Sequence, residues 1–139
     1  MKRSPLKKVS SVQKIKLKIQ KILLGIVRER DGGCVFRNYP ETGRCGQGWT
    51  QADHIITRSN PILYAELDNL ICSCRRHHIF WKRDNATEWS RIVREIIGEE
   101  KWKRLHRIHS DYKRGELDGR RTQKDWLEIL EKLEKRQSF

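Results

Sequence analysis

The sequence contains no apolar run long enough to cross a membrane, because a spanning helix needs about 18 consecutive apolar residues. Its longest apolar stretches, residues 22–24 and 26–27, are broken by Gly25 and by neighbouring lysines. The basic N-terminus is not followed by an apolar segment and a small-residue cleavage site, so no secretory signal is predicted. We therefore expect a soluble protein with no membrane partner, located in the cytoplasm of a bacterium or of a host cell.

Acidic residues are scarce, and the first 28 residues contain none. The 139 residues include 31 Lys and Arg against 18 Asp and Glu, which gives a formal net charge of +13. Such a surplus favours a polyanionic partner. Nucleic acid is the usual one, because each neutralised phosphate releases a counterion, and an anionic membrane surface is the competing partner.

Cysteine is limited to positions 34, 45, 72 and 74. In a reducing compartment these thiols favour metal binding over disulfide formation. The chain length accommodates one domain with a modest core. The composition therefore excludes a transmembrane protein, a disulfide-stapled secreted module and a large multidomain enzyme.

Helical periodicity marks both ends of the chain. Apolar residues recur three and four positions apart over residues 12–26, which predicts a basic amphipathic helix. Its polar face is either simply solvated or in contact with phosphate, and the two interpretations are compatible. The lysines that could make such contacts are Lys14, Lys18 and Lys21.

Three more helices are predicted, between residues 85 and 98, over residues 99–109 and from residue 122 to residue 133. Thr122 and Asp125 have the spacing of a capping box. Tryptophans at helical spacing are expected in the core, His106 and His109 as ordinary helix residues, and residues 111–119 as a polar loop. The leucine stripe of the last helix fits either an intramolecular core or a homodimer, so the oligomeric state stays open.

The middle of the chain differs, because glycine and proline supply turns between short apolar segments. Residues 34–36 and 54–57 are predicted to be strands. We expect a basic tail and helix over residues 1–28, a central core over 29–84 and a helical C-terminal region over 85–139, all in one compact unit.

The stretch between residues 53 and 82 concentrates the side chains from which a hydrolytic metal site can be built. Asp53 and His54 are adjacent, Asn69 follows His54 by fifteen residues, and His78 follows Asn69 by nine. Oxygen and imidazole ligands suit a divalent cation, and a second imidazole can take a proton from water.

This spacing resembles that of the HNH nuclease family. In the family the Asn is followed by Cys-x-x-Cys-His, whereas here Cys74 is followed by His77 and His78, so a histidine replaces the second knuckle cysteine. The family's upstream Cys-x-x-Cys pair is replaced by Cys34 and Cys45, with ten residues between them. The resemblance covers residues 34–82. A more limited similarity links the chain to the phage NinG-type recombination proteins, which also place such a knuckle before a helical part.

The resemblance implies an α+β fold with a small ββα-metal HNH core, flanked by the basic N-terminal helix and the C-terminal helical region. Asp53 and His78 would hold a catalytic Mg²⁺ or Mn²⁺, and His54 would be the general base. Asn69, in the loop between the second strand and the helix, would orient the His54 imidazole through its side-chain carbonyl.

A structural Zn²⁺ would complete the implied knuckle. Because histidine is an accepted zinc ligand, the replaced cysteine alters the site without abolishing it. Cys72 is either a substitute ligand or a buried apolar thiol. The expected zinc ligands are Cys34, Cys45, Cys74 and His77.

The implied activity is metal-dependent hydrolysis of phosphodiester bonds in duplex or branched DNA by a phage-type endonuclease. Arg75, Arg76 and Lys82 are expected to neutralise phosphates near the site. The alternative is a non-catalytic zinc-knuckle protein that binds nucleic acid or assists recombination. That protein would share the charge and the cysteines but would have no use for the Asp, His and Asn of the motif.

Overall fold

The computed structural model describes residues 10–46 and 48–137, and the fold across them is α+β. A two-stranded antiparallel sheet is surrounded by five helices. The predicted basic tail before residue 10 lies outside the described residues. In chain order the helices and strands are α1 (Ser11–Asp31), β1 (Thr50–His54), β2 (Leu70–Cys74), a π-helix (Arg76–Trp81) continuing into α2 (Lys82–Asp84), α3 (Ala86–Ile97), α4 (Glu99–Lys113) and α5 (Gln123–Gln137).

The basic amphipathic helix predicted over residues 12–26 is present as α1. It begins at a capping box in which the Ser10 hydroxyl accepts from the Gln13 backbone N–H and the Gln13 side chain accepts from the Ser10 N–H. It ends at Gly32, whose left-handed conformation closes the last turn. The apolar stripe is buried against α5 and the sheet, and it comprises Ile15, Ile19, Leu23 and Val27.

The two strands pair so that Ala52 lies opposite Cys72 and Asp53 lies opposite Ile71. Successive side chains of a strand point to opposite faces. Cys72 packs in a core cluster with α1 and α5, whereas Ile71 packs in a second cluster with α3 and residues 34–36. The sheet is therefore covered on both faces, and Asp53 belongs to the face that also carries Ile71.

The C-terminal helices agree with the periodicity. Gly98 separates α3 from α4, and the capping box of α5 forms, with the Thr122 N–H donating to the Asp125 carboxylate over 2.8 Å. Trp89 and Trp126 are buried as predicted. The expected loop over residues 111–119 begins later, because α4 continues to Lys113. None of the helices in the described part of the chain is long and apolar enough to cross a bilayer.

Both predicted strands are wrong in their position. Residues 35–38 form a 3₁₀ helix, because the Arg37 guanidinium donates to the carbonyls of Asp31 and Cys34 and closes the chain into a turn. The strand predicted over residues 54–57 ends at His54. The Asn69 side chain accepts from the Ile56 N–H over 2.7 Å and donates to the Ile56 carbonyl over 3.0 Å, which removes both groups from the ladder.

Candidate functional site

The four predicted zinc ligands come together in the structure. The donor atoms of Cys34, Cys45, Cys74 and His77 all lie within 4.8 Å of one another. Two short 3₁₀ helices, Val35–Asn38 and Pro40–Thr42, fold the intervening loop back so that its two cysteines meet. Three thiols and one imidazole form a group that could bind a metal ion such as zinc. We call this group the Cys/His cluster.

The hydrogen bonds of His77 hold its ring in the form that a metal ligand requires. Nε2 lies 3.2 Å from the carbonyl oxygen and 3.0 Å from the hydroxyl of Thr42. Because a carbonyl can only accept, the Thr42 contact places the proton on Nε2 and leaves the lone pair on Nδ1, with the Arg76 guanidinium 3.3 Å from the same Nε2. Nδ1 lies 3.0 Å from the Cys74 sulfur and 3.7 Å from the Cys34 sulfur. Ligating histidines are usually oriented by such a second bond.

The thiols of the cluster differ in how readily they ionise. Burial raises the pKa of Cys34 to about 12 and also raises the pKa of Cys45. Burial acts on Cys74 in the same direction, but the backbone N–H groups of His77 and Gly46 donate to its sulfur and lower its pKa below the ordinary thiol value. Cys74 is therefore the thiol most readily converted to the thiolate that binds a metal.

Arg76 holds the loop that carries Cys45. Its guanidinium donates to the carbonyls of Thr42 over 2.9 Å and Arg44 over 2.8 Å. Gly43 lies beneath it with φ 82°, and a Cβ at that position would lie 2.7 Å from a guanidinium nitrogen. The described contacts of Arg76 are thus with the protein itself, and its contact with phosphate stays a prediction.

Cys72 is not part of the cluster. Its side chain is fully buried between the sheet and helices α1 and α5, in the apolar core that also contains Tyr64 and Trp126. Of the two roles predicted for Cys72, the buried apolar thiol is therefore the one that the structure supports, and the role of substitute ligand is wrong.

Asp53 and His78, the predicted ligands of the catalytic ion, also meet. Asp53 Oδ1 lies 3.4 Å from His78 Nε2. The carboxylate is 2% exposed and receives a hydrogen bond of 3.4 Å from the Ser73 hydroxyl. His78 Nδ1 is bonded to the Gln51 side-chain oxygen, and Nε2 is the ring nitrogen that faces the carboxylate. A carboxylate oxygen and an imidazole nitrogen therefore lie close enough together to be reached by one cation.

Lys82 supplies a positive charge at this point. Its ammonium donates to Asp53 Oδ1 over 2.9 Å and to the His54 carbonyl over 3.4 Å, and it lies 4.2 Å from the centre of the Trp89 ring. The sequence predicts a phosphate contact for Lys82, whereas its described partner is a carboxylate. Its position four residues after His78 on one helix is the sequence signal that could have indicated this, because residues so spaced share a face.

His54 is held in a form that can accept a proton. Its Nε2 lies 2.9 Å from the carbonyl oxygen of Tyr64, so Nε2 donates and Nδ1 keeps the lone pair. Among the residues that the structure describes, no hydrogen bond is made to Nδ1. Burial lowers the pKa of His54 below the ordinary value of 6.5, so the imidazole is neutral at neutral pH.

The predicted contact between Asn69 and the His54 imidazole is wrong. Asn69 precedes β2 instead of following it, at the end of a 3₁₀ helix (Leu67–Asn69), and its side chain bonds the backbone of Ile56 and Leu63. Asn69 thus holds the backbone of Leu63 in place. The next residue is Tyr64, whose carbonyl orients His54. No sequence signal indicates Tyr64, because any residue offers a backbone carbonyl.

The predicted phosphate contacts on helix α1 lie at the surface. Lys14, Lys18 and Lys21 are exposed and share one face, since they are spaced by four and three positions. Arg75 is exposed where β2 meets the π-helix. Binding of DNA by these four side chains stays a prediction. His106 and His109 contact Trp102 and Asn60 and lie outside both groups of candidate ligands.

The geometry above is the basis for assigning a function to this chain. Comparison with protein-family models, with curated proteins and with solved structures finds no match to it.

Proposed function

We propose that this chain is a metal-dependent endonuclease of the HNH type that hydrolyses phosphodiester bonds in DNA. One observation carries the proposal. Asp53 Oδ1 on β1 and His78 Nε2 on the π-helix lie 3.4 Å apart. His54, the neighbour of Asp53 in sequence, has a lone pair on Nδ1 that no described residue contacts through a hydrogen bond. Two candidate ligands for an ion and one candidate general base are the parts that metal-assisted hydrolysis requires.

Asp53 and His78 would hold a Mg²⁺ or Mn²⁺ ion, since a carboxylate oxygen and an imidazole nitrogen lie 3.4 Å apart and both are accepted ligands of such ions. When bound, such an ion polarises the phosphoryl oxygen and stabilises the charge that develops on the leaving oxygen. The buried carboxylate of Asp53 contributes charge, and the hydrogen bond from His78 to Gln51 holds the imidazole in place.

His54 would take the proton of the attacking water at Nδ1. The Tyr64 carbonyl fixes the ring by accepting from Nε2–H, and it also stabilises the imidazolium that forms. Water then attacks phosphorus in line with the leaving oxygen, and the P–O bond breaks. General base catalysis of this kind contributes about 10²–10⁴-fold to a rate.

We further propose that the Cys/His cluster holds a structural Zn²⁺. Four protein ligands would leave no coordination position for water or substrate. The ion would tie the loop of Cys45 to β2 and to the helix that carries His77. Because His77 is followed directly by His78, this ion would also fix the helix that presents the catalytic ligand.

The partner proposed for the basic surface is duplex or branched DNA, in the cytoplasm of a phage-infected or bacterial cell. A net charge of +13 and the exposed lysines of α1 support this partner. The surface lies on a different element from the proposed catalytic residues, so it would add affinity without taking part in the chemistry.

One observation favours a second candidate function, a non-catalytic zinc-knuckle protein that binds DNA. The ion pair between Lys82 and Asp53 neutralises the buried carboxylate without any added cation. An Asp with such a partner has a purely structural explanation. The two functions differ in whether the chain cuts DNA.

A nicking assay with the zinc-loaded full chain separates the two candidates. We expect supercoiled plasmid to be relaxed when Mg²⁺ or Mn²⁺ is added and to stay intact when both are omitted, with the same zinc content in each sample. His54→Ala should slow cleavage by at least about 100-fold, the smaller contribution of a general base. His106→Ala, which removes a histidine outside the site, should cleave at the wild-type rate.

Circular dichroism and DNA affinity should match those of the wild type for both variants. A loss of cleavage then reflects a loss of catalysis and not of folding or DNA binding. Full activity in His54→Ala would remove the assigned base. Failure of the wild-type chain to cut linear, nicked, flapped and four-way DNA with either ion would favour the non-catalytic protein.

A further inference from the structure

We infer that Lys82 is a positioning residue that couples cation binding to phosphate binding. Its ammonium donates to the carboxylate oxygen of Asp53 that a divalent ion would bind, and a bound ion would release it towards the DNA. The inference rests on the proposed function, because it requires a cation site formed by Asp53 and His78.

The contacts of Asp53 place the two cations in competition for one carboxylate oxygen. Oδ1 lies 2.9 Å from the Lys82 ammonium and 3.4 Å from His78 Nε2, so both neighbours address one atom of the carboxylate. A Mg²⁺ ion held by Asp53 and His78 would bind the same carboxylate oxygen to which the ammonium donates. Two cations on one carboxylate oxygen repel each other strongly in a partly buried site, so the ion would displace the ammonium.

The displaced ammonium can reach solvent. The Lys82 side chain is 30% exposed, and its four-carbon stem can turn outwards while the helix stays in place. Once released, Lys82 presents a free positive charge beside the catalytic ion, where the phosphate is proposed to bind.

The neighbouring basic residues cannot serve this purpose. Arg83 pairs with Asp84 at the surface, and Arg76 is bonded to the loop carbonyls of Thr42 and Arg44. Two basic residues described on this helix contact Asp53, namely His78 and Lys82, and Lys82 is the one with an ammonium group. Arg83 therefore offers a matched control, since its removal changes the net charge equally without touching the site.

Linkage gives the inference a measurable form. If Lys82 competes with the ion, removing Lys82 must tighten ion binding. If the ion frees Lys82 for phosphate, then the ion must raise DNA affinity, and the DNA must raise ion affinity by the same factor. A lysine that served only to stabilise the fold would not make the gain in DNA affinity on adding the ion depend on its own ammonium.

The test is titration of the zinc-loaded full chain with Mn²⁺, followed by electron paramagnetic resonance. We expect Lys82→Met to bind Mn²⁺ about tenfold tighter than the wild type or better, a change of about 1.4 kcal/mol. Arg83→Met should match the wild type, and Asp53→Asn should bind Mn²⁺ more weakly than either. Lys82→Gln, which keeps a donor for Asp53, serves as a second variant should Lys82→Met fold poorly.

DNA affinity supplies the second readout. In a His54→Ala background, which prevents cleavage, Mn²⁺ should tighten binding to a fluorescent duplex, and Lys82→Met should remove most of that gain. Equal or weaker Mn²⁺ binding in both Lys82 variants would overturn the inference and leave the proposed nuclease standing. Absence of Asp53-dependent Mn²⁺ binding in every variant would overturn both.

Discussion

The Cys/His cluster and the pair formed by Asp53 and His78 are built from different chemistry, although adjacent residues of one helix contribute to both. The cluster offers four soft or borderline donors, and the Thr42 carbonyl orients its histidine. The pair offers two donors, one of them a carboxylate that already carries an ion pair with Lys82. A complete donor set suits a structural ion, and an incomplete one leaves positions for substrate and water.

The helix that carries both histidines places their rings in different environments. Arg76–Trp81 is a π-helix, in which the Lys82 N–H donates to the His77 carbonyl. Such turns are rare in proteins as a whole, and those that occur often lie at functional sites. His77 is fully buried against Phe36, with ring centres 5.1 Å apart, whereas His78 is 30% exposed.

The largest expected effect follows from breaking the cluster. Cys74→Ser removes the thiol with the lowered pKa and the sulfur nearest to His77. Because metal binding to such a cluster is folding free energy, we expect bound zinc to be lost. The stability loss should be at least about 3 kcal/mol, equivalent to a fall in Tm of about 10 °C. Zinc content by atomic absorption and thermal denaturation measure both.

Asp53→Asn is the matched change in the other group, since it alters one buried ligand with almost no change in shape. Zinc content should be unchanged, and the cost in stability should stay near about 1–3 kcal/mol, the usual penalty for an impaired buried hydrogen bond. If Asp53→Asn lost zinc, or if Cys74→Ser kept both zinc and wild-type stability, then the two groups would not have separate roles.

The sequence predicted the helices and the donors better than the connections between them. Helix α1 and the capping box at Thr122 follow from periodicity and local spacing, and local rules determine them. The position of Asn69 depends on the backbone of Ile56 and Leu63, which no local pattern specifies. The folding of the loop between Cys34 and Cys45 likewise depends on carbonyl contacts with a distant arginine, Arg76.

The next largest effect concerns that loop. Gly43→Ala introduces a Cβ at 2.7 Å from the Arg76 guanidinium and at φ 82°, where side chains are strained. We expect a loss of about 1–3 kcal/mol in stability and faster release of zinc to a chelator. Gly98→Ala has a similar φ of 92° with nothing within 4 Å of the new Cβ, so it controls for backbone strain alone. Equal zinc release from the two variants would mean that the Arg76 contact does not support the cluster.

A smaller effect is expected from the surface of α1. Replacing Lys14, Lys18 and Lys21 together by Gln should weaken DNA binding without altering zinc content or the melting temperature. The slope of log affinity against log salt should fall by about 2–3, since each neutralised phosphate contributes about 0.9. The same triple change at Lys124, Lys132 and Lys135 of α5 removes equal charge. If both triple variants shift the slope alike, then net charge and not the α1 face determines affinity.

The smallest effect sharpens the boundary of the cluster. Cys72 lies two residues before Cys74 on the same strand, yet its side chain is buried with Tyr64 and Trp126 instead of with the other thiols. Cys72→Ala should therefore leave zinc content and zinc affinity unchanged, and it should cost about 1 kcal/mol for the lost buried volume. Cys45→Ala is the control, because the Cys45 thiol belongs to the cluster and is more exposed than that of Cys72. Burial alone would make Cys45→Ala the less destabilising change, yet we expect it to lose zinc because it removes a ligand. Loss of zinc from Cys72→Ala would place Cys72 among the ligands.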